Sequence, residues 1–342
     1  MKSKIITSIG LVIVLVALVW LVLALQPPRE FASDDNPFMK DGEVPHIIAH
    51  RGGNHEFPGN SLEAYYHAYS IDPGVIMETD VAITSDDEII LTHDLTLDRK
   101  TTLTNATVEE TSYASLVENA VDFGYDNPIP YDTFNTEEEF ERFTNYEGDT
   151  VTPLDVEYPQ GVDPRHEEKF LVTTLEELIT AFPDNYFIVE IKNSGETGAR
   201  AFERVLEILE TLDDDYDAME RVSLGSFNKD MYDRYVQARR NDVPGLLFSP
   251  QEYAVTRFYV MQLLGVNGLF NEPISSFQVP TADGAVNLAT QRFIDNANAH
   301  NIGVHYWTIN DETTMRELIE LGADGMLTDR PTLLKEIIEE YE

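Results

Sequence analysis

Two short acidic patterns, each inside an apolar run, point to a site for a cation. Glu78 and Asp80 stand two residues apart in a strand-like stretch, so both carboxylates lie on one face of the strand. Two buried carboxylates are costly unless a cation or a base compensates them. Glu190 and Lys192 repeat the spacing in a second apolar run. Carboxylate oxygens suit a hard divalent ion such as Mg²⁺ or Ca²⁺, and internal salt bridges are the alternative.

Two histidines that follow apolar runs are candidates for proton transfer. His50 and His93 each stand where a strand-like segment gives way to a loop. Histidine titrates near neutral pH and is therefore the natural proton donor or acceptor for phosphoryl transfer. Arg51 can clamp phosphate oxygens with two parallel hydrogen bonds. Gly52 and Gly53 let the backbone come close to a ligand.

These residues need a scaffold in which several strand ends meet. Short β-branched apolar runs, typical of buried strands, occur at His46–Ala49, Val75–Ala82, Phe187–Ile191, Val222–Leu224, Gly245–Phe248, Ser275–Val279, Gly303–Thr308 and Gly325–Leu327. Amphipathic helical stretches separate most of them. Eight such strands predict an α/β fold of the (β/α)8 TIM-barrel type, which carries its catalytic groups at the C-terminal ends of the strands.

One long segment interrupts the alternation of strands and helices. Residues 104–169, between the second strand region and a helix over Thr174–Phe182, are acidic and show little periodicity. The segment is too long for an ordinary connection, so we expect a lid, a small insertion domain or a partly disordered stretch. It belongs to a βα connection and is expected at the catalytic face.

The N-terminal residues have the composition of a membrane segment. Two lysines precede Ile5–Leu25, a run without charge that is long enough as a helix to cross a bilayer. We predict a transmembrane anchor over residues 1–26, a tether over 27–43 and the barrel over 44–342. The lysines favour a single-pass protein of the cell membrane whose barrel is extracellular. A cleaved signal peptide and secretion is the alternative.

The charge of the chain argues against one class of partner. The sequence has 62 acidic and 23 basic residues, a formal net charge of -39. Such a surface repels phosphate backbones, so we expect no nucleic acid partner. Adaptation to high salt or alkaline surroundings is the simplest explanation of the charge. The chain has no cysteine, which excludes disulfides and thiolate metal sites.

Taken together, the motifs resemble those of the glycerophosphodiester phosphodiesterase family. The resemblance runs in order through His50–Thr102, Glu190–Lys192, Val304–Asn310 and Gly322–Pro331. It implies a (β/α)8 barrel that hydrolyses small glycerophosphodiesters to an alcohol and glycerol 3-phosphate.

The resemblance also implies roles for individual residues. His50 and His93 would be the acid–base pair. One divalent cation, Ca²⁺ or Mg²⁺, would be held by Glu78, Asp80 and Glu190.

The substrate contacts follow from the same resemblance. Arg51 and Lys192 would bind the phosphate, and Trp307 would line the glycerol pocket. One position departs from the family pattern, because Gly59 stands where a glutamate is usual. Glycine has no carboxylate, so any contact that this glutamate makes to the site is missing in this chain.

Two other functions remain open from the sequence. A phospholipase C or D acting on (lyso)phospholipids or on glycerol-phosphate polymer would use the same residues. A surface binding module on an inactive barrel is the second alternative. The presence of both histidines and all three acids favours an enzyme.

Overall fold

The computed structural model describes residues 2–28, 36–125 and 141–342 of the chain. Its helices are α1 Lys2–Ala24, α2 Leu62–Ile71, α3 Tyr113–Glu118, α4 Leu175–Ala181, α5 Gly195–Tyr216, α6 Ala218–Arg221, α7 Lys229–Asn241, α8 Glu252–Leu263, α9 Gln291–Asn298, α10 Glu312–Leu321 and α11 Pro331–Ile338. Three 3₁₀ turns lie at Val108–Glu110, Pro153–Asp155 and Asn267–Leu269.

The strands alternate with these helices along most of the chain. They are β1 His46–His50, β2 Ile76–Ile83, β3 Ile89–Leu91, β4 Phe187–Ile191, β5 Val222–Gly225, β6 Leu247–Phe248, β7 Ser276–Val279, β8 Ala282–Asp283, β9 Val286–Asn287, β10 Gly303–Tyr306 and β11 Gly325–Thr328. Each of the eight predicted strands has a counterpart here. The short antiparallel strand β3 and the hairpin β8–β9 were not predicted.

Eight parallel strands form a nearly closed barrel. Their order is β6-β5-β4-β2-β1-β11-β10-β7, and β3 pairs antiparallel with β2. Between the two end strands, the backbone N–H of Ser275 donates to the carbonyl of Phe248 at 3.2 Å. The helices surround this sheet, so the predicted TIM-barrel architecture is confirmed.

Strand alternation divides the apolar side chains into two layers. Ile48, Ile76, Ile188 and Leu327 pack together inside the barrel. Their neighbours along each strand, such as Ile47, face the helices and join the large outer core. Because side chains alternate with a period of two, the residues two and four positions beyond each inward apolar residue also point into the barrel. This rule governs which residues reach the catalytic end.

The N-terminal part of the chain is only partly as predicted. Residues 2–24 form helix α1, but no helix within the described ranges is long and apolar enough to cross a membrane. The predicted transmembrane anchor over residues 1–26 is therefore not supported. At the end of α1, the indole Nε1 of Trp20 donates to the carbonyl of Leu264 at 2.9 Å.

Part of the predicted tether is packed into the floor of the barrel. Phe38 is fully buried among the inward side chains, with its ring 6.0 Å from that of Tyr186. Its carbonyl is 2.6 Å from Nε2 of the buried His305. Asn36 donates to the carbonyls of Ser275 and Asn301, both at 2.8 Å. Residues 29–35 of the predicted tether lie outside the described residues.

Residues 104–169, the predicted insertion, belong to the connection between β3 and α4. Its described part contains α3 and two 3₁₀ turns, and residues 126–140 lie outside the described ranges. Val108, Leu116 and Phe123 are buried in a small core of their own, together with Ala82 and Ile90 of the sheet. The described part is therefore packed against the C-terminal end of the barrel.

Candidate active site

The strand register brings the sequence-predicted residues to one end of the barrel. His50 is paired with Glu78 between β1 and β2, and Asp80 is paired with Glu190 between β2 and β4. All eight predicted site residues line one cavity of about 200 Å³: His50, Arg51, Glu78, Asp80, His93, Glu190, Lys192 and Trp307. The barrel thus brings together side chains that are up to 257 positions apart in the sequence.

The loop after β1 turns the backbone of Arg51 towards the acids. Arg51 has a φ of 54°, and Gly52 and Gly53 follow with φ of 84° and 99°. Only glycine adopts such angles without steric strain, so Gly52 and Gly53 allow the backbone to turn here. The Arg51 N–H donates to Glu78 Oε2 at 2.9 Å, and its Nε lies 3.0 Å from Asp80 Oδ2. The guanidinium is thus fixed at the cavity wall.

Asp80 is the most heavily paired acid of the cavity. Lys192 Nζ lies 3.3 Å from Asp80 Oδ1 and 3.1 Å from Glu190 Oε1, so it bridges the two carboxylates. Asn60 donates to Asp80 Oδ2 at 3.2 Å. Burial raises the pKa of Asp80, but Arg51 and Lys192 outweigh burial and hold that pKa below its ordinary value. Asp80 is therefore ionised.

Glu78 is less well compensated than Asp80. Burial and the nearby charge of Asp80 raise the pKa of Glu78 to about 7. His50 Nε2 is 4.0 Å from Glu78 Oε2. Burial lowers the pKa of His50, whereas Glu78 and Asp329 raise it, and the net shift is upward. Glu78 therefore binds a proton more readily than Asp80.

Each candidate catalytic histidine is held by an aspartate that sequence reasoning did not assign. His50 Nδ1 lies 2.6 Å from Asp329 Oδ1, and His93 Nδ1 lies 2.7 Å from Asp94 Oδ1. Because a carboxylate accepts hydrogen bonds, Nδ1 of each ring carries the proton. Nε2 of each ring is therefore the atom left to exchange a proton in the cavity.

A second set of polar contacts positions Asp329. Asn310 donates from Nδ2 to Asp329 Oδ2 at 2.7 Å and accepts from the Asp329 N–H at 2.9 Å. His55 Nε2 lies 3.6 Å from the same carboxylate, and the His55 ring stacks on Tyr146 of the insertion at 6.0 Å. The insertion thus reaches His50 through two intermediate side chains, His55 and Asp329.

Asp329 and Asn310 lie inside the segments that carried the family resemblance, and Asp94 follows His93 directly. The sequence therefore contained a signal for these residues. Their roles could not be assigned from it, because they depend on which ring nitrogen each histidine presents.

Gly59, where the family pattern usually has glutamate, has a local explanation. Its N–H donates to Asn54 Oδ1 at 3.2 Å, and a Cβ at this position would stand 2.3 Å from that oxygen. Any larger residue would therefore require Asn54 to move. Ser61, two residues later, caps helix α2, since its side chain accepts from the Ala64 N–H at 3.2 Å.

The three acids are suited to a divalent ion by their chemistry rather than by a preformed arrangement. In residues 2–28, 36–125 and 141–342, no group of three or more His, Cys, Asp or Glu side chains is disposed as a metal site. Glu78, Asp80 and Glu190 nevertheless supply only oxygen donors, which hard cations prefer. These three acids outnumber the two cations, Arg51 and Lys192, that lie against them.

Comparison with known proteins agrees with this cavity. The model of the glycerophosphoryl diester phosphodiesterase family matches residues 50–333, which is most of the chain. The chain belongs to this family. The protein is accordingly a glycerophosphodiester phosphodiesterase, and the matched range contains every residue of the cavity described above.

Individual relatives of this phosphodiesterase are distant. Lysophospholipase D GDPD1 of Mus musculus is 24% identical over 316 residues, which cover 86% of this chain and 86% of the relative. A glycerophosphoryl diester phosphodiesterase from Parabacteroides distasonis superposes with a TM-score of 0.57 at 20% identity, covering 92% of this chain and 94% of that one. A phosphodiesterase from Oleispira antarctica, solved with the product sn-glycerol-3-phosphate, gives 0.57 at 18% identity and covers 86% and 97%.

The contact between Asp329 and His50 generates a prediction for this phosphodiesterase. We expect Asp329→Asn to lower kcat by about 10²-fold or more, because an amide cannot stabilise a protonated His50 and no longer holds its Nδ1 proton. Steady-state kinetics with circular dichroism would measure this. Asp311→Asn is the matched control, since Asp311 is exposed and caps α10, a role that asparagine also fills. Equal kcat values for both variants would contradict a role for Asp329.

Proposed function

We propose that the protein hydrolyses glycerophosphodiesters to an alcohol and glycerol 3-phosphate, with His50 and His93 as the acid–base pair. The observation that supports this most is the pair of histidine–aspartate contacts at one cavity. Asp329 and Asp94 each accept a hydrogen bond from the Nδ1–H of one ring, which leaves the Nε2 atom of each ring for proton exchange, and both histidines line the same cavity. Two such groups are what a displacement at phosphorus needs, one at each of its two oxygens.

The cations of the cavity suit the phosphate. Arg51 and Lys192 would face the non-bridging oxygens and offset the charge that builds at phosphorus. One histidine takes the proton of the attacking oxygen, and the other gives a proton to the leaving alkoxide. Trp307 would lie along the glycerol, because it lines the same cavity as Arg51 and Lys192.

A divalent cation would balance the negative charge of the acids and the bound phosphate in the cavity. Three carboxylates and a bound phosphodiester together carry four formal negative charges, whereas Arg51 and Lys192 carry two positive ones. A Ca²⁺ or Mg²⁺ ion, which Glu78, Asp80 and Glu190 would hold, would offset this excess of negative charge. When bound, the ion would supply electrostatic stabilisation of the phosphoryl oxygens.

The roles of the histidines are tested by removing each ring. We expect His50→Ala and His93→Ala each to lower kcat for glycerophosphocholine by about 10²- to 10⁴-fold, because each removes one proton transfer. Release of glycerol 3-phosphate would be measured, with circular dichroism to check the fold. His166→Ala, in the insertion and outside the cavity, is the control and should keep full activity. Near-normal turnover in either cavity variant would remove that histidine from the mechanism.

The cation is tested by chelation. We expect exhaustive chelation to abolish activity and added Ca²⁺ or Mg²⁺ to restore it. The ion should also raise the melting temperature, because a ligand bound only by the folded state stabilises that state. Glu78→Gln should weaken both effects, whereas Glu210→Gln, on the exposed side of α5, should leave them unchanged. Full activity of the chelated enzyme would rule out the metal.

We further propose that the protein is held at the outer face of the cell membrane through its N-terminal segment. The described apolar side chains of α1 are largely exposed, among them Leu11 and Val16, and such a surface is stabilised by lipid. We expect the full chain in the membrane fraction and accessible to protease on intact cells, and a chain without residues 1–26 to leave that fraction. A full-length protein in the cytosolic fraction would contradict this location, and a processed protein in the medium would contradict the anchor.

A further inference from the structure

The insertion contains a short turn that is held in place at both ends. The Asn145 N–H donates to the carbonyl of Asp149 at 2.9 Å, and Asn145 Oδ1 accepts from the Asp149 N–H at 2.8 Å. Phe143 before the turn and Val151 after it are buried in the large outer core. Tyr146 lies within the turn and is 62% exposed. Its backbone is therefore fixed by its neighbours although its side chain is open to solvent.

Tyr146 contacts two loops at the C-terminal end of the barrel. Its N–H donates to the carbonyl of His55, in the loop after β1, at 2.7 Å, and the two rings stack with centroids 6.0 Å apart at 16°. The guanidinium of Arg330, in the loop after β11, lies 3.9 Å from the centroid of the Tyr146 ring. Stacked rings and a cation over a ring are both stabilising contacts with a preferred geometry. One side chain of the insertion thus joins two loops of the barrel.

Both of these loops also contact Asp329, the partner of His50. The His55 N–H donates to the Asp329 carbonyl at 3.1 Å, and His55 Nε2 lies 3.6 Å from Asp329 Oδ2. Arg330 follows Asp329 in the chain and donates from Nη1 to the carbonyl of Asn310 at 3.3 Å. Asn310 in turn donates to the Asp329 carboxylate. The turn of the insertion is therefore linked to this carboxylate by two separate routes.

The ring of His55 depends on Tyr146 for its position. His55 Nδ1 is buried and has no hydrogen-bond partner among residues 2–28, 36–125 and 141–342. His55 Nε2 is too far from Asp329 Oδ2 for a hydrogen bond of normal length. Within the same residues, the ring is instead held by its stack on Tyr146 and by its approach to Asp329. Loss of the Tyr146 ring would therefore free the His55 ring to turn away from the carboxylate.

We propose that Tyr146 is a positioning residue for the reaction. It acts through His55 and Arg330, which keep the Asp329 carboxylate in the orientation that accepts the Nδ1–H of His50. The inference rests on the proposed function, in which His50 exchanges a proton through Nε2. Misplacement of a catalytic group by about 1 Å can cost about 10²-fold in rate, so a small shift of the carboxylate is enough to matter. The insertion then acts on the chemical step rather than on substrate binding.

Steady-state kinetics with glycerophosphocholine test the inference. We expect Tyr146→Ala to lower kcat about tenfold with little change in KM, because positioning affects the chemical step. Tyr146→Phe keeps the ring and should keep kcat. Leu154→Ala removes a side chain of the same insertion that is 60% exposed, and this control should behave as the wild type. A higher KM at constant kcat, or an equal loss in Tyr146→Phe, would overturn the inference.

A second variant tests the same link if Tyr146→Ala does not fold. His55→Phe keeps a ring against Tyr146 but removes Nε2 from the side of Asp329. It should therefore show the same loss of kcat. Wild-type kcat in a folded His55→Phe would contradict the route through His55.

A double-mutant cycle shows whether Tyr146 acts through Asp329. In the Asp329→Asn background, we expect Tyr146→Ala to lower kcat by less than about twofold, because the carboxylate that Tyr146 positions is already gone. Losses that multiply in the double variant would show that the two residues act independently, and they would overturn the inference.

Proton NMR tests the same contact without turnover. The Nδ1–H groups of His50 and His93 donate to carboxylates at 2.6 and 2.7 Å, and protons in such short hydrogen bonds resonate at low field. The resonance that is lost in Asp329→Asn belongs to His50. We expect Tyr146→Ala to broaden this resonance through faster exchange with water and to leave that of His93 unchanged. An unchanged His50 resonance would overturn the inference.

The outcomes separate this inference from the proposed function. An inactive His50→Ala together with a fully active Tyr146→Ala would overturn the positioning role and leave the phosphodiesterase mechanism standing. Full activity of His50→Ala, or no turnover of any glycerophosphodiester by the wild type, would overturn the proposed function and the inference with it.

Discussion

The carboxylate of Asp80 lies buried between the guanidinium of Arg51 and the ammonium of Lys192, and the geometry of the catalytic cavity depends on this contact. A buried carboxylate without partners would be costly, so both cations must remain near it. Their positions in turn fix the loop after β1 and the end of β4. Because Arg51 also donates its N–H to Glu78, one residue connects two acids and sets the place of His50 beside them.

Much of this arrangement was predictable, because the spacing of residues along a parallel strand determines which side chains point into the barrel at its C-terminal end. Ile48 precedes His50 by two residues, and Ile188 precedes Glu190 by two. Because side chains two positions apart lie on the same face of a strand, each inward apolar residue predicts an inward polar residue at the strand end. The eight strands followed from their β-branched runs. The two-residue strand β6 was hardest to predict, since so short an element carries almost no periodic signal.

Other features could not be read from local pattern. Phe38 is buried against Tyr186 and His305, residues far away in the chain, so nothing near position 38 indicates its burial. The small core of the insertion could not be predicted from its acidic sequence either, because Val108 contacts Ala82 only in the folded chain. The role of Asp329 required the ring orientation of His50. In each case the missing information was a contact between distant residues.

The placement of Phe38 has a kinetic consequence. Phe38 closes the N-terminal end of the barrel, and the last turns of α1 contact Leu264 at that same end, whereas the histidines lie at the opposite end. A bilayer in contact with α1 would therefore face the closed end, and the opening would be directed to the aqueous medium. Substrate molecules would then arrive singly from solution. The rate would then follow the concentration of substrate in solution rather than its density at the bilayer surface.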